Sequence, residues 1–488
     1  MTSQQNPEQT IQRIAALPLP HEAHVAQTLS FGLLVPPSVF VVPRGWEWTH
    51  TAPFEGPSIL AGLIKGLGYP FRLFDQRDDF DPEQVRGLAD GFDIVGLSVW
   101  GDSFTYVRRA VEILKEENPA RPVILGGPLA TAIPQLLLET TEADMVVAGE
   151  GEVTLTELLD YFSGNEWARA LPEIKGLVWR SSDGTVHTNE PRQQLTNLDV
   201  VPFQDFSVWE RFQGKDIPEI FLSYSRGCPC NCTFCYRAFP QHTYKSVERV
   251  KREVDYYSAR GFRMAWWNDL TFVTDKKYVH RLMKTIFVDH QFRWTAFSRV
   301  TGLDDETLLL MKEKGLDIVL YGMESVSPEV LDGYHKGITR NAMVDTILRH
   351  RRCGVKIGGL FIVGSPEDSP ESMAELTAFC SEFKEVTRVK YLSALPGTEF
   401  YRQCLRDGLI RDEVMHLEWL SEEQSIEEDI ENPGFVKFCG NLSTEELRAI
   451  YRDINYRIEV RPYDYSNGGN VYLENAEKFV LRKPGDNV

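Results

Sequence analysis

The stretch Arg226-Gly227-Cys228-Pro229-Cys230-Asn231-Cys232-Thr233-Phe234-Cys235-Tyr236 decides how this chain is read. Four of the eight cysteines fall inside it, while Cys353, Cys380, Cys404 and Cys439 are scattered. Clustered thiols in a chain otherwise poor in cysteine point to metal or redox chemistry rather than to a disulfide scaffold. Cys228, Cys232 and Cys235 have C-x3-C-x2-C spacing. Three thiolates so placed can each ligate one iron of a [4Fe–4S] cube and leave the fourth iron open to a small molecule. Gly227 and Pro229 favour the sharp turn such a loop needs. The alternative is a closed zinc site, which wants four ligands, usually as two pairs, and would have to recruit Cys230 from a cramped C-x-C-x-C run. Cys230 is read as a spectator and the scattered four as buried thiols.

Outward from this loop the chain alternates between strand and helix. Downstream, Phe221–Tyr224 runs straight into the cysteines, and Arg263–Trp267, Arg293–Phe297, Ile318–Tyr321, Lys356–Val363 and Arg388–Ser393 read as further strands. Helical patterns lie between them, and Ser246 is placed to cap the first, whose apolar face is Val247, Val250, Val254 and Tyr257. Six successive β/α units predict a parallel partial (β/α)6 barrel over 219–400. Upstream, Ser30–Val35, Phe71–Phe74, Asp93–Val99, Val123–Leu125 and Met145–Ala148 are short, nearly continuous apolar strands between amphipathic helices. They predict an α/β, doubly wound parallel-sheet domain over 28–163, with ligands beyond the carboxyl ends of its strands. Residues 164–218 read as a linker with a small hairpin around Ser181-Ser182-Asp183-Gly184. Residues 1–27 read as a loose extension, and 401–488 as a mostly helical C-terminal segment ending in the loop-like Asn467-Gly468-Gly469-Asn470.

Composition bounds the partners. The 488 residues are 42% hydrophobic and 25% charged, which is ordinary for a globular protein and argues against disorder. The net charge of -19 repels phosphate backbones, so nucleic acid is not expected as a partner. The polar N-terminus carries no signal-peptide core, and the apolar run Phe31–Val42 is broken by Pro36 and Pro37 and is too short for a membrane span. These features predict a cytoplasmic protein without a membrane partner.

The cysteine motif after the first strand of a barrel resembles that of the radical S-adenosylmethionine (SAM) enzymes. Upstream, Asp93-Ile94-Val95-Gly96-Leu97-Ser98, Ile124-Leu125-Gly126-Gly127-Pro128 and Gly149-Glu150-Gly151-Glu152 are similar, in order, to the cobalamin-binding-domain subclass. That subclass includes the class B methylases and the anaerobic Mg-protoporphyrin ester cyclases. The resemblance covers about residues 30–400. It implies that Cys228, Cys232 and Cys235 hold a [4Fe–4S] cluster. It implies SAM contacts from Phe234, Asn268, Asp269, Arg299, Glu324, Ser325 and Gly364. For cobalamin it implies Gln76, Arg77, Ser98, Gly126, Gly127, Gly149 and Glu150. The subclass often has an acidic pair where this chain has Asn268-Asp269, and its Asp-x-His-x-x-Gly cobalt-ligating signature is here Asp75-Gln76-Arg77-Asp78-Asp79. Arg77 stays protonated and cannot ligate cobalt. Each of these residues also has a structural reading: Asp269 as a helix cap, Glu324 as an ion-pair partner, Arg77 as a surface salt-bridging residue, and the glycines as tight turns.

The expected function is a radical SAM enzyme that cleaves SAM reductively to a 5′-deoxyadenosyl radical and modifies an unactivated carbon of a small molecule. The leading expectation is cobalamin-dependent C-methylation in natural product biosynthesis. One SAM would methylate cob(I)alamin, a second would generate the substrate radical, and a flavodoxin or ferredoxin would supply electrons. The alternative is a dehydratase, cyclase or rearrangement enzyme whose first domain is a vestigial scaffold. A third reading is a non-catalytic iron–sulfur or cobalamin carrier or sensor. No residue is assigned to the chemical step on the substrate.

Overall fold

A computed structural model of the chain describes residues 7–37, 52–213, 219–286, 293–422 and 435–459. By mutual contacts the chain divides into two compact units: residues 1–40, 53–261 and 393–436 in one, and residues 41–52, 262–392 and 437–488 in the other.

The first unit is built on strands β1 (Phe31–Val35), β2 (Phe71–Asp75), β3 (Ile94–Ser98), β4 (Val123–Gly126) and β5 (Met145–Val147). They are parallel in the order β2-β1-β3-β4-β5. This is one of the common doubly wound orders, whose ligand crevice opens where the winding reverses between β1 and β3. The expected linker hairpin is β6 (Leu177–Arg180) with β7 (Val186–Thr188), and it extends this sheet, with β6 antiparallel to β5. Its register places Leu177, Val178 and Trp179 against Val147, Val146 and Met145. The hairpin therefore covers an edge that would otherwise expose unpaired backbone groups.

Helices cover both faces: α1 (Pro7–Ala15), α2 (Glu55–Gly66), α3 (Pro82–Gly91), α4 (Phe104–Glu117), α5 (Pro128–Ala132), α6 (Pro134–Thr140) and α7 (Gly151–Ser163). The alternation of side chains along a strand feeds two cores. Leu34, Leu97, Leu125 and Val146 pack with α3, α4 and α6, whereas Leu33, Val35, Ile94 and Ile124 pack with α2 and α7. The expectation of a loose extension before residue 28 is corrected by α1, which buries Ile14 and ties Arg13 to Asp160 at 2.7 Å. Prolines on either side hid a single amphipathic helix of nine residues, too short to show a sustained period.

The strand expected to open the barrel is β8 (Glu219–Leu222), and it belongs with the first unit. So do the ribbon β9 (Ser225–Arg226) with β10 (Thr243–Tyr244), and α8 (Val247–Ser258), which Ser246 caps as expected.

The second unit holds β11 (Met264–Trp267), α9 (Lys276–Ile286), β12 (Arg293–Ser298), α10 (Asp305–Glu313), β13 (Leu316–Glu324), α11 (Pro328–Gly333), α12 (Arg340–Cys353), β14 (Lys356–Val363), α13 (Pro370–Glu382) and β15 (Val386–Tyr391). Its strands are all parallel and neighbour one another in chain order, as successive β/α units require. The side chains facing the helices make the core: Trp267 and Trp294 pack on Phe272, Tyr321 on His350 of α12, and Phe361 on Phe379 of α13. Trp266, Trp267 and Tyr321 are thus held by aromatic packing or hydrogen bonds within this unit.

The C-terminal segment is helical as expected, with α14 (Glu399–Arg406), α15 (Glu413–Glu422) and α16 (Thr444–Glu459). It serves both units. α15 places Leu417, Trp419 and Leu420 in the first unit's core beside α4, whereas α16 packs on β15 and α13 of the second. The loop-like Asn467–Asn470 lies outside the described residues.

Because Leu417 is fully buried in the first core, Leu417→Ala is expected to cost about 2–5 kcal/mol. A lowered urea midpoint for loss of the first unit's structure is the measurement that checks it.

Candidate functional site: the cysteine loop and the strand ends around it

The cysteine loop is closed at its base by the β9–β10 ribbon, whose register sets Arg226 against Thr243. Gly227 adopts a left-handed φ of 84°, and a Cβ there would meet Gln241 O at 2.0 Å, so only glycine lets the two arms approach. Gln194 clamps the returning arm from both sides, donating to Gln241 O at 2.8 Å and accepting from its N–H at 3.0 Å. Between these points Cys228, Cys230 and Cys232 are half-buried and Cys235 is exposed. A hydrogen bond with Cys230, together with burial, raises the Cys228 thiol far above its ordinary range. Among the described residues no three His, Cys, Asp or Glu side chains converge on one point. A cube takes three thiolates from one loop, each on a different iron. The donor set therefore fits a [4Fe–4S] cluster.

Both ends of the loop are anchored. Arg226, two residues before Cys228, places Nη1 2.7 Å from Glu150 and Nη2 2.5 Å from Glu152. Glu150 also accepts the Leu195 N–H at 2.5 Å. Burial raises the Glu150 pKa despite Arg226, whereas Arg226 outweighs burial at Glu152 and lowers it. Burial works against the charge of Arg226, but the two carboxylates outweigh it and raise its pKa. Tyr236, directly after Cys235, donates to Pro128 O at 2.7 Å, and Phe400 N–H donates to Thr233 O at 2.9 Å.

The anchors on the sheet side are the loops expected to meet cobalamin. Ser98, Gly126 and Val147 lie at one level at the carboxyl ends of their strands. A Cβ on Gly126 or Gly149 would meet nothing within 4 Å, so open space lies above β4 and β5, as a ligand at this sheet's carboxyl edge requires. Gln76 and Arg77 are placed differently. Gln76 is spent on the backbone of Asp81, and Arg77 is fully buried on Asp75, its guanidinium 4.4 Å from the Phe54 ring and 4.7 Å from that of Trp209. Arg77 is therefore an interior pair, not the surface salt-bridging residue of the alternative reading.

In the second unit, Arg299 and Glu324 are joined by a residue the sequence did not single out. Lys336 Nζ lies 2.8 Å from Glu324 Oε1, and the Lys336 carbonyl accepts from Arg299 Nη2 at 2.5 Å. The register between β13 and β14 shifts between Gly322 and Glu324, and Glu324 takes a φ of 65°. A bulge of this kind re-aims a side chain, and a left-handed non-glycine residue stores about 1–3 kcal/mol of strain. Gly322 provides the room, since a Cβ there would lie 2.2 Å from Glu324 Oε1. Ser325 is buried and accepts the Ser327 N–H, Asp269 is buried, Asn268 is exposed and Phe234 is half-buried. Gly364 and Ser365 donate their N–H groups to Asp368 Oδ2, both at 2.8 Å. Burial pushes the Asp368 carboxyl up to about 6.

Comparison with known proteins agrees with this geometry. The B12 binding domain profile matches residues 58–159, and the radical SAM superfamily profile matches residues 222–380. The chain is a radical SAM enzyme with a B12-binding domain. An uncharacterized methyltransferase of Pyrococcus horikoshii is 28% identical over 425 residues, 80% of this chain and 89% of that protein. The cytidylyl-2-hydroxyethylphosphonate methyltransferase of Streptomyces wedmorensis is 25% identical, over 73% of this chain and 79% of that one. The structure of the radical SAM methyltransferase TsrM from Kitasatospora setae, solved with cobalamin and a [4Fe–4S] cluster, shares the fold. Its TM-score is 0.65 at 17% identity, over 78% of this chain and 79% of that one. The cofactors of this radical SAM enzyme are accordingly a [4Fe–4S] cluster, SAM and cobalamin. No described helix is long and apolar enough to cross a membrane.

Two outcomes follow from the geometry. Cys228→Ala, Cys232→Ala and Cys235→Ala should each lose the reconstituted cluster's visible absorbance, and Cys230→Ala should keep it. Asp368 titrates near 6 in the folded chain against an ordinary 3.8. Between about pH 4 and pH 6 the folded state therefore holds a proton that the unfolded state has released. Relative to Asp368→Asn, the wild type should lose on the order of 2–3 kcal/mol as pH rises through this window, read from paired urea titrations.

Proposed function

We propose that this enzyme transfers a methyl group to an unactivated carbon of a small molecule. The observation that carries the reading is the joining of two cofactor-competent loops in one compact unit: the cysteine loop is bonded directly to the open glycine loops of the B12-binding sheet. When bound, the cluster and SAM supply an oxidant for an inert C–H bond, and cobalamin supplies the methyl group.

The chain's own residues then have defined tasks. Cys228, Cys232 and Cys235 hold the cluster, and the half-buried ring of Phe234 covers it. Arg299, anchored on Lys336 O, is the cation for the SAM carboxylate. The Glu324–Lys336 pair and Ser325 hold the hydroxyls and main chain of the SAM ribose and methionine portion. Asp269, helped by Asn268, takes the SAM ammonium group, and the turn that Asp368 locks at Gly364 backs the adenosine. Ser98, Gly126, Gly127, Gly149 and the main chain at Glu150 border the space for the cobalamin nucleotide. Gln76 and Arg77 border it with their backbone, since their side chains are spent inside. Arg77, protonated and paired with Asp75, would offer a bound metal no donor atom. A small acidic electron carrier is a poor match for a chain of net charge -19 unless it docks on a local basic patch, so a flavodoxin or ferredoxin is expected to bind weakly and with strong salt dependence.

The test is anaerobic turnover with reconstituted cluster, bound cobalamin, SAM and a chemical reductant. The methyltransferase reading expects S-adenosylhomocysteine that depends on bound cobalamin, together with 5′-deoxyadenosine. 5′-Deoxyadenosine formed equally well without cobalamin, and no S-adenosylhomocysteine, would favour a dehydratase, cyclase or rearrangement enzyme. Neither product from a chain with an intact cluster would leave a carrier or sensor.

A further inference from the structure

The hydrogen bonds at the two ends of the cysteine loop close into a ring. Arg226 binds Glu150 and Glu152, which flank the start of α7. Gly149, next to Glu150, donates its N–H to Thr131 Oγ1 at 3.0 Å. The same hydroxyl donates to Gly127 O at 3.0 Å. Thr131 lies on α5, which begins at Pro128, and the Pro128 carbonyl accepts the Tyr236 hydroxyl at 2.7 Å. From Tyr236 the chain runs back through Cys235, Cys232 and Cys228 to Arg226. The Tyr236 ring is wedged beside Gly397 and Ala132, where a Cβ on Gly397 would lie 2.7 Å from Tyr236 and 2.9 Å from Ala132.

Each bond in this ring joins a cysteine-loop terminus to a glycine loop of the B12-binding sheet, or joins those two glycine loops to each other. The glycine loops face the open space above β4 and β5. A ligand that orders them fixes the acceptors of Arg226 and Tyr236, and a cluster that orders the cysteine loop fixes the donors.

We propose that Arg226 and Tyr236 are positioning residues that couple the two cofactor sites, so that a bound cluster tightens cobalamin binding and bound cobalamin tightens the hold on the cluster. The inference rests on the reading that cobalamin occupies the space at Gly126–Gly127 and Gly149–Glu150. The two states are loop ends engaged or released. Linkage makes the effect reciprocal, and couplings of this kind are about 5–150-fold.

The experiment uses the full chain, prepared anaerobically with and without reconstituted cluster, and measures hydroxocobalamin affinity by equilibrium dialysis. In the wild type the cluster-loaded form should bind about 5-fold more tightly or better. Conversely, cobalamin should slow the loss of iron to a chelator. Tyr236→Phe removes one hydroxyl and should bring both ratios close to one while hydroxocobalamin still binds. Thr131→Val cuts the bridge between the glycine loops, removes the Thr131 side chain's hydrogen bond with Tyr236 and leaves the Tyr236 ring in place, so it should do the same, which covers an insoluble Tyr236 variant. Equal wild-type affinities with and without cluster would overturn the proposal, as would wild-type ratios retained in a folded Tyr236→Phe or Thr131→Val chain. A wild-type chain that binds no hydroxocobalamin in either form would overturn the cobalamin reading and this inference with it. Binding without coupling would overturn the inference alone.

Discussion

Everything around the cysteines depends on a guanidinium that has left water. Arg226 is held by two carboxylates from the start of one helix, Glu150 before α7 and Glu152 in its first turn. Removing one partner of such a buried set strands a charge and costs about 3–5 kcal/mol, so the position of Arg226 is enforced from outside its own strand. Its neighbours repeat the logic. Lys245 and Arg249 share Glu253, at 2.8 Å each, and Arg249 also donates to Val201 O. Three cations and three carboxylates thus balance at the foot of a loop whose own tip is half-open to solvent. A ligand loop must be accessible to its cofactor and yet not wander, and rigidity at the base with exposure at the tip meets both demands.

How much of this was legible in the sequence depends on the range of the interaction. The strands, the alternation of helices and the cap at Ser246 are local, and the main sheet strands end within two residues of where they are expected, except β13, which runs three residues further to Glu324. The candidate donor cysteines stand out because their spacing is itself the signal. α1 was lost because nine residues between prolines carry too little period, and the attachment of the hairpin to β5 because edge pairing leaves no mark on the hairpin's own sequence. Arg226 and Tyr236 stood inside the decisive stretch, but their roles are set by Glu150, Glu152 and Pro128, which lie 74 to 108 positions away. Lys336 follows Glu324 by 12 positions, across a helix, and no periodicity connects them.

The candidate SAM residues illustrate the same limit. Reading Glu324 as either a ligand contact or an ion-pair partner posed an opposition that the fold dissolves. Its pairing with Lys336 is real, and it occurs at a bulge with a left-handed backbone, an expense that strand formation alone does not require. The pair also carries Lys336 O to Arg299, so a structural ion pair fixes the cation beside it.

The loop after β2 carries the argument in the opposite direction. Its Asp75 matches the first position of the signature, but Arg77 stands where the histidine would and Phe80 where the glycine would. Arg77 does not project into the space that a histidine would reach across. It folds back onto both oxygens of Asp75, between Phe54 and Trp209, and Arg211 shares Oδ2 of Asp75 at 2.6 Å. Arg211 also reaches Asp78 at 2.9 Å, so two guanidiniums meet two carboxylates, and the aromatic faces help hold Arg77 on Asp75. A neutral imidazole would leave that carboxylate and those rings without the cation that organises them. The substitution is therefore built into the packing of the unit: the side chains of this loop are committed to holding the B12-binding sheet together.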